Sequence, residues 1–231
     1  NNIIKDIRDR FFQMYRGVSL QINNKKLNIK LNDEYKKTIQ DSAIKQSLEI
    51  VRKRIDESGT KEPLIQRSGK KRILLQLPGV KDPERIKELL GKTAKLTFHI
   101  VDDENTSALQ NNLAPIGKMI VSDIYDTDIK YLLDKRSVVG GENLVDAKGS
   151  FDQTEGHAVS FRFDTEGAQK FGKVTTNNIG KRMAVLLDGV VITAPRINGA
   201  ITGGSGIITG NFNAQDAADL AVLLRAGALP A

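Results

Sequence analysis

Two apolar runs, Met183 to Leu187 and Val190 to Thr193, flank Asp188-Gly189. A two-residue connection of this kind needs positive φ, which glycine adopts without steric cost, and its twist matches that of paired antiparallel strands. The chain therefore contains a tight hairpin, and the neighbouring segments have to be arranged around it. Immediately upstream, His157 to Phe163 alternates Val159, Phe161 and Phe163 with Ser160 and Arg162, the period of a strand. A helix follows, capped by Asp164 or Thr165, with Ala168, Phe171 and Thr175 on its inner face and Gly180 at its end. Beyond Pro195, a glycine-rich turn separates β-branched stubs between Ile201 and Gly210, which predicts another hairpin. Asn213 and Asp216 then form a capping-box start, and Ala217, Leu220, Ala221 and Leu224 make the buried stripe of a last helix ended by Gly227. This block runs strand, helix, strands, helix, so a return strand is expected beyond the C-terminus.

The first half carries its own pattern. Ile4, Ile7, Phe11 and Met14 predict a helix over residues 2 to 15, stopped by Gly17. Val18, Leu20 and Ile22, then Leu27, Ile29 and Leu31, alternate about Asn23-Asn24 as a hairpin. A long helix begins after Asn32-Asp33, places Ile44, Leu48, Val51 and Ile55 on one face, and ends at Ser58-Gly59. Pro63 to Arg67 and Arg72 to Leu77 form a second hairpin about Ser68-Gly69. Asp82, Pro83 and Gly91 mark both ends of a short helix, and Lys95 to Val101 is the next strand. The order from Leu27 onward is that of a ferredoxin-like split βαβ sandwich. Residues 103 to 157, rich in Asp, Asn and Gly, read as loops and edge strands, with weak strand signals near Lys118 to Val121 and Ser137 to Val139.

The expected fold is thus α+β in two lobes. Residues 1–102 hold the ferredoxin-like core and residues 103–231 an α+β lobe with antiparallel hairpins. The polar stretch Asp102, Asp103, Glu104, Asn105 separates the two patterns and is the expected hinge, with the return connection at Gly227, Ala228, Leu229 and Pro230.

Composition narrows the chemistry. With 39% hydrophobic and 27% charged residues the 231-residue chain reads as a globular protein. Its longest apolar runs fall well short of the roughly 20 residues of a membrane-spanning helix, and its first residues carry no apolar signal-peptide region, so any membrane attachment is expected outside this chain. The absence of cysteine removes disulfides, thiolate nucleophiles and cysteine-based zinc sites. The 35 Lys+Arg against 28 Asp+Glu give a net charge of +7, but the positive charge is scattered and aromatics are few, so a solvated basic surface is expected rather than a nucleic-acid interface.

No catalytic, metal or cofactor site emerges. Gly203, Gly204, Ser205 and Gly206 could form an anion nest, but a P-loop needs Gly-Lys-Ser/Thr opening a helix, and here a strand-like Ile207-Ile208-Thr209 follows. His99 and His157 are far apart and lack partners at ligand spacing. Asp102-Asp103-Glu104 lacks the alternating ligands and closing glutamate of a calcium loop. No Gly-x-Ser-x-Gly elbow occurs.

Longer motifs carry a resemblance. Leu48 to Ile55, Ser58-Gly59, Glu62 to Arg67, Arg72 to Gly79, Leu90 to Ala94, Glu166-Gly167-Ala168, Asn178 to Arg182, Leu187-Asp188-Gly189, Ala194-Pro195, Ile201 to Gly204 and Leu223 to Pro230 occur in the order found in the SecD family. The chain resembles the first large extracytoplasmic (periplasmic) domain of that protein-translocase subunit. The resemblance implies a multi-pass inner-membrane parent of the bacterial Sec machinery, a membrane-proximal base and a mobile head, engagement of unfolded preprotein, and movement driven by the proton motive force. It implies SecF and the SecYEG channel as partners through the full-length protein, and no enzymatic activity, cofactor or nucleic acid. The proton-carrying residues of the family lie in membrane helices, so none is carried over here. An unfolded passenger offers backbone amides and intermittent apolar side chains, so the Gly203, Gly204, Ser205, Gly206 hairpin is the expected polypeptide contact. Two further readings fit the element pattern: a small-molecule-binding regulatory module on a ferredoxin-like fold, and a basic RNA-binding α+β protein.

Overall fold

A computed structural model describes residues 17–23, 26–60 and 62–230. The helix expected over residues 2 to 15 and Asn24 of the first expected turn lie outside the described residues. The described residues pack as two compact units. One runs to Glu49 and includes Leu64–Gln76, and the other comprises Ile50–Pro63 and the residues from Leu77 onward.

The first unit is built from local pairings. Strands β1 (Val18–Asn23) and β2 (Lys26–Leu31) form one antiparallel hairpin, and β3 (Leu64–Ser68) and β4 (Arg72–Gln76) form another. Helix α1 (Asp33–Glu57) starts where the Asn32 side chain accepts the Tyr35 N–H at 2.7 Å, an N-cap that satisfies one of the free donors of the first turn. Asp41 of α1 meets Arg67 of β3 at 2.6 Å.

The second unit holds the main core. Its elements are α2 (Pro83–Gly91), β5 (Leu96–Ile100), α3 (Thr106–Gln110), β6 (Lys118–Ser122), β7 (Lys130–Asp134), β8 (Val139–Gly140), β9 (Leu144–Asp152), β10 (Gly156–Phe163), α4 (Thr165–Asn177), β11 (Met183–Leu187), β12 (Val190–Thr193), β13 (Ser205–Phe212) and α5 (Ala214–Ala226). A four-stranded sheet has the order β12-β11-β5-β8, a three-stranded sheet the order β13-β10-β9, and β6 pairs with β7. Alternation splits the four-stranded sheet between two cores. Met183, Val185 and Leu187 join Leu96, Phe98 and Ile100 in the larger one, whereas Ala184 and Leu186 join Val101, Leu133 and Val191 in the smaller. Both faces are covered, which is why β11 is apolar throughout. Helix α5 lies across β9 and β10 and buries Ala217, Leu220, Ala221 and Leu224. Its start is a full capping box, with the Asn213 side chain accepting from Asp216 N–H and the Asp216 carboxylate accepting from Asn213 N–H.

The α+β class and antiparallel pairing agree with the sequence reading, but four details differ. Among the described residues the strands from Leu27 to Val101 do not form one ferredoxin-like sheet: β2 pairs with β1, β3 and β4 pair only with each other, and β5 lies between β11 and β8. The reason lies in burial. Leu96, Phe98, His99 and Ile100 are all buried and demand neighbours on both edges and cover on both faces, which the half-exposed β3 and β4 do not supply. Likewise, Ile201 to Gly210 is not a hairpin. Ile201-Thr202 is no strand, and Ser205–Phe212 pairs across to β10 instead. The segment from 103 to 157 is also more regular than expected, since β7 and the nine-residue β9 lie within it. The expected boundary at Asp102 to Asn105 lies inside the second unit.

Candidate functional site

The second unit carries an apolar cleft of about 400 Å³ between β13 and the segment Pro195 to Ile201. Its floor comes from the larger core: Phe98, Phe161, Phe171, Met183 and Val185, each at most 4% exposed. Phe98, Phe161, Phe163 and Phe171 are in mutual contact, with ring centroids 5.0 to 6.1 Å apart in tilted and edge-on arrangements that suit the ring quadrupoles. Sequence places these rings together because β5 and β10 turn alternate residues inward and α4 presents Phe171 on its inner face.

Hydrogen bonds fix the outer wall. Met183 N–H donates to Pro195 C=O at 2.9 Å, Ile197 N–H to Lys181 C=O at 2.8 Å, and Gly180 N–H to Ile197 C=O at 2.8 Å. Thr175, fully buried on α4, accepts the Ile201 N–H on Oγ1 at 2.9 Å while its own hydroxyl points back to Phe171 C=O at 2.9 Å. Gly172 permits the approach, since a Cβ there would stand 3.3 Å from Thr202 Cα. Arg196 is the one charged residue lining the cleft, and its guanidinium donates to Gly180 C=O.

The four residues expected to contact polypeptide divide by position. Gly203 is exposed in the turn, and Gly204 is buried with φ of 67° against Ala168. Ser205 and Gly206 open β13, with Gly206 on the cleft wall. Gly206 is required there because a Cβ would come within 2.6 Å of the Phe161 ring. The sequence reading missed the other wall, Pro195 to Ile201. The signal available was weak: an apolar Ile197 and Ile201 separated by Asn198-Gly199-Ala200 look like any loop.

The expected hinge residues are tied down. Asp102 accepts hydrogen bonds from Lys118 Nζ at 2.9 Å and Asn105 Nδ2 at 2.7 Å, and its pKa is held down to about 2, first by Lys118 and then by Asn105. Asp103 takes a forked pair of bonds from Arg182, which lowers its pKa, and Arg182 lies 5.4 Å from the centroid of the Tyr131 ring. Glu104 N–H and Asn105 N–H turn back to the Asp102 carboxylate. Gly227 ends α5 with φ of 88°, Leu229 N–H donates to Thr93 C=O at 2.9 Å, and Ala228 and Pro230 flank it half-buried.

Neither histidine lies at the cleft. His99 Nδ1 stands 2.7 Å from Asp134 C=O, which can only accept, so Nδ1 carries the proton and Nε2 accepts from Thr97 Oγ1 at 3.0 Å. Burial lowers its pKa and keeps it neutral. His157 packs edge-on against Phe151. Among the described residues no three His, Asp or Glu side chains are grouped to hold a metal ion, and no helix is long and apolar enough to cross a membrane.

Comparison with known proteins places this geometry. Residues 118–231 match the model of the SecDF P1 head subdomain, and residues 44–103 match that of the N-terminal part of the P1 domain of protein translocase subunit SecDF. The chain is 45% identical over 214 residues to the protein translocase subunit SecD of Rickettsia felis, covering 91% of this chain and 41% of that protein. It is 48% identical over 204 residues to SecD of Rhodobacter capsulatus, covering 87% of this chain and 36% of that protein. It therefore spans about two fifths of the length of these curated relatives. A solved structure described as a membrane component SecDF that enhances protein export superposes with a TM-score of 0.65 at 33% identity, covering 92% of this chain and 93% of that one. SecDF in its super-membrane-facing form gives a TM-score of 0.67 at 36% identity over 82% of this chain and 27% of that one. The relatives are translocase subunits of membrane-associated machinery, a transport role, and the chain belongs to the SecD/SecDF family of protein-translocase subunits, matching its P1 domain.

Proposed function

We propose that this domain works on the periplasmic face of the inner membrane, as part of a multi-pass parent that joins SecF and the SecYEG channel, and that it engages preprotein as an unfolded chain. The observation that carries this reading is the apolar cleft beside β13, because an export passenger has no fixed sequence and offers mainly backbone groups and intermittent apolar side chains. The role is non-catalytic: His99 is engaged in structural hydrogen bonds and His157 packs on an aromatic ring, so neither is poised as a base. Proton-driven movement of the second unit then carries a held segment away from the channel; residues 103–231 cannot turn about Asp102–Asn105 and Gly227–Pro230 by themselves, because β5 before that stretch is paired with β11 and β8 after it. Such movement carries along the Asp102–Lys118 and Asp103–Arg182 pairs and the Leu229–Thr93 hydrogen bond, all of which lie within that unit. Capture has to be weak, since a site that moves chain must also release it.

The test is a two-dimensional NMR titration of the chain with an unfolded passenger and with the folded form of the same passenger. The reading predicts shifts at Ile201, Gly206 and Ile207 with the unfolded form only. Identical responses to both forms, or none at millimolar passenger, would remove polypeptide engagement from the domain's role.

A further inference from the structure

We infer that the free edge of β13 takes an extended polypeptide segment as an added strand, seating one large apolar side chain in the cleft and an acidic residue against Arg196. The inference rests on the polypeptide-binding reading above and specifies how the contact is made.

The phase of the β10–β13 ladder decides which backbone groups are available. Phe163 N–H donates to Gly204 C=O at 2.8 Å, so the alternation of an antiparallel pair turns Gly206, opposite Phe161, and Ile208, opposite Val159, toward β10. The N–H and C=O groups of Ser205, Ile207 and Thr209 then point away from β10. β13 is an edge strand, and among the described residues none of these outward groups has a hydrogen-bond partner. A row of unpaired donors and acceptors at strand spacing is a template for one more strand. Alternate side chains of an added strand face the same side, so a residue beside Gly206, which is turned toward the Phe161 ring, lies over the apolar floor of Phe161, Phe171 and Val185. Charge selects among such segments. Arg196 is the cleft's single charged lining residue and spends one donor on Gly180 C=O, while a guanidinium carries five. A neighbouring Asp or Glu on the passenger complements it, and a Lys or Arg there is repelled.

Fluorescence anisotropy with the intact chain tests the mode. The probe is a labelled, unstructured twelve-residue peptide alternating Phe or Val with Glu. Two further peptides keep every side chain but are N-methylated at all amides along one edge or along the other. Strand addition predicts that one N-methylated peptide loses about tenfold in affinity, the scale of two backbone hydrogen bonds, while the other binds like the parent. Replacing Glu by Lys should weaken binding further. On the protein side, Ile207→Pro removes an outward N–H without removing a bond to β10, a position where an edge strand tolerates proline. It should reproduce the tenfold loss with an unchanged far-ultraviolet dichroism spectrum. If that variant does not fold, the peptide comparison still decides. Equal affinity of all three peptides would overturn strand addition while leaving polypeptide capture in place. No binding of the parent peptide at millimolar concentration would overturn both.

Discussion

Arg54 Nη2 donates to the Gly227 carbonyl at 3.1 Å, joining the last turn of one helix to the end of another across 173 residues of sequence. Arg54 is fully buried, and its guanidinium also donates to the carbonyls of Leu89 at 3.0 Å, Lys92 at 2.6 Å and Thr93 at 3.1 Å. Its partners are carbonyls at and just beyond the C-terminal ends of α2 and α5, where backbone acceptors are left over and the helix dipole is negative. Burial lowers its pKa and the charge of Asp188 opposes that, but an arginine stays protonated in either case. Arg54→Met should cost about 3 kcal/mol or more, because several buried carbonyls lose their donor at once. Arg54→Lys should cost nearly as much, since one ammonium cannot reach both helix ends. Urea unfolding of the three proteins measures this, and a Lys variant as stable as the parent would contradict the bridging role.

Gly204 and Gly203 are neighbours with opposite predictions. At Gly204 the backbone has φ of 67° and an added Cβ would stand 2.4 Å from Ala168 Cβ, so Gly204→Ala should cost about 3 kcal/mol from strain and overpacking combined. At Gly203 an added Cβ meets nothing within 4 Å, and Gly203→Ala should change stability by about 0.5 kcal/mol or less. Thermal unfolding of the pair checks the contrast, and equal effects would mean that Ala168 does not set the approach of this turn.

Asp102 supplies a pH dependence. Its folded pKa of about 2 lies below the ordinary value of about 3.9, so the unfolded chain binds the proton first. The stability it contributes is present above about pH 4 and is lost as pH falls toward about 2. Asp102→Asn has no proton to gain there, so its acid limb should be shallower than that of the parent in stability measured from pH 5 to 2. Superimposable acid limbs would show that the Lys118 and Asn105 hydrogen bonds do not hold the carboxylate in its charged form.

Much of the fold was legible where a local rule had no competitor. Asp188-Gly189 forms the expected turn, with positive φ at both residues, and the Asp188 carboxylate additionally accepts the N–H groups of Ala94 and Lys95. The capping box of Asn213 and Asp216 and the end at Gly227 follow from side-chain chemistry within four residues of each helix terminus. Long-range choices were not legible. The pairing of β5 with β11 joins segments some 85 residues apart, and periodicity reports which face is apolar but not which strand supplies the edge. Arg54 reads as a surface residue by type, although it falls three and four residues after Val51 and Ile50 on the buried stripe, a signal that outranks its charge here. Of the cleft's lining, Gly206 belongs to the glycine-rich run that the sequence singles out. The opposite wall was not legible, because its position is fixed by Thr175 and by pairing with Gly180 to Met183 rather than by its own sequence.

Photo-crosslinking during export addresses the central claim most directly. The crosslinker is placed at Ile207, 52% exposed on the free strand edge, and for comparison at the equally exposed Ile179 and at Ile39 of the first unit, in the full-length membrane-bound parent carrying a stalled passenger. Polypeptide capture at β13 predicts adducts with the passenger at Ile207 and far fewer at Ile179 and Ile39. Equal labelling at all three positions, or none at Ile207 while the passenger is demonstrably in transit, would contradict it.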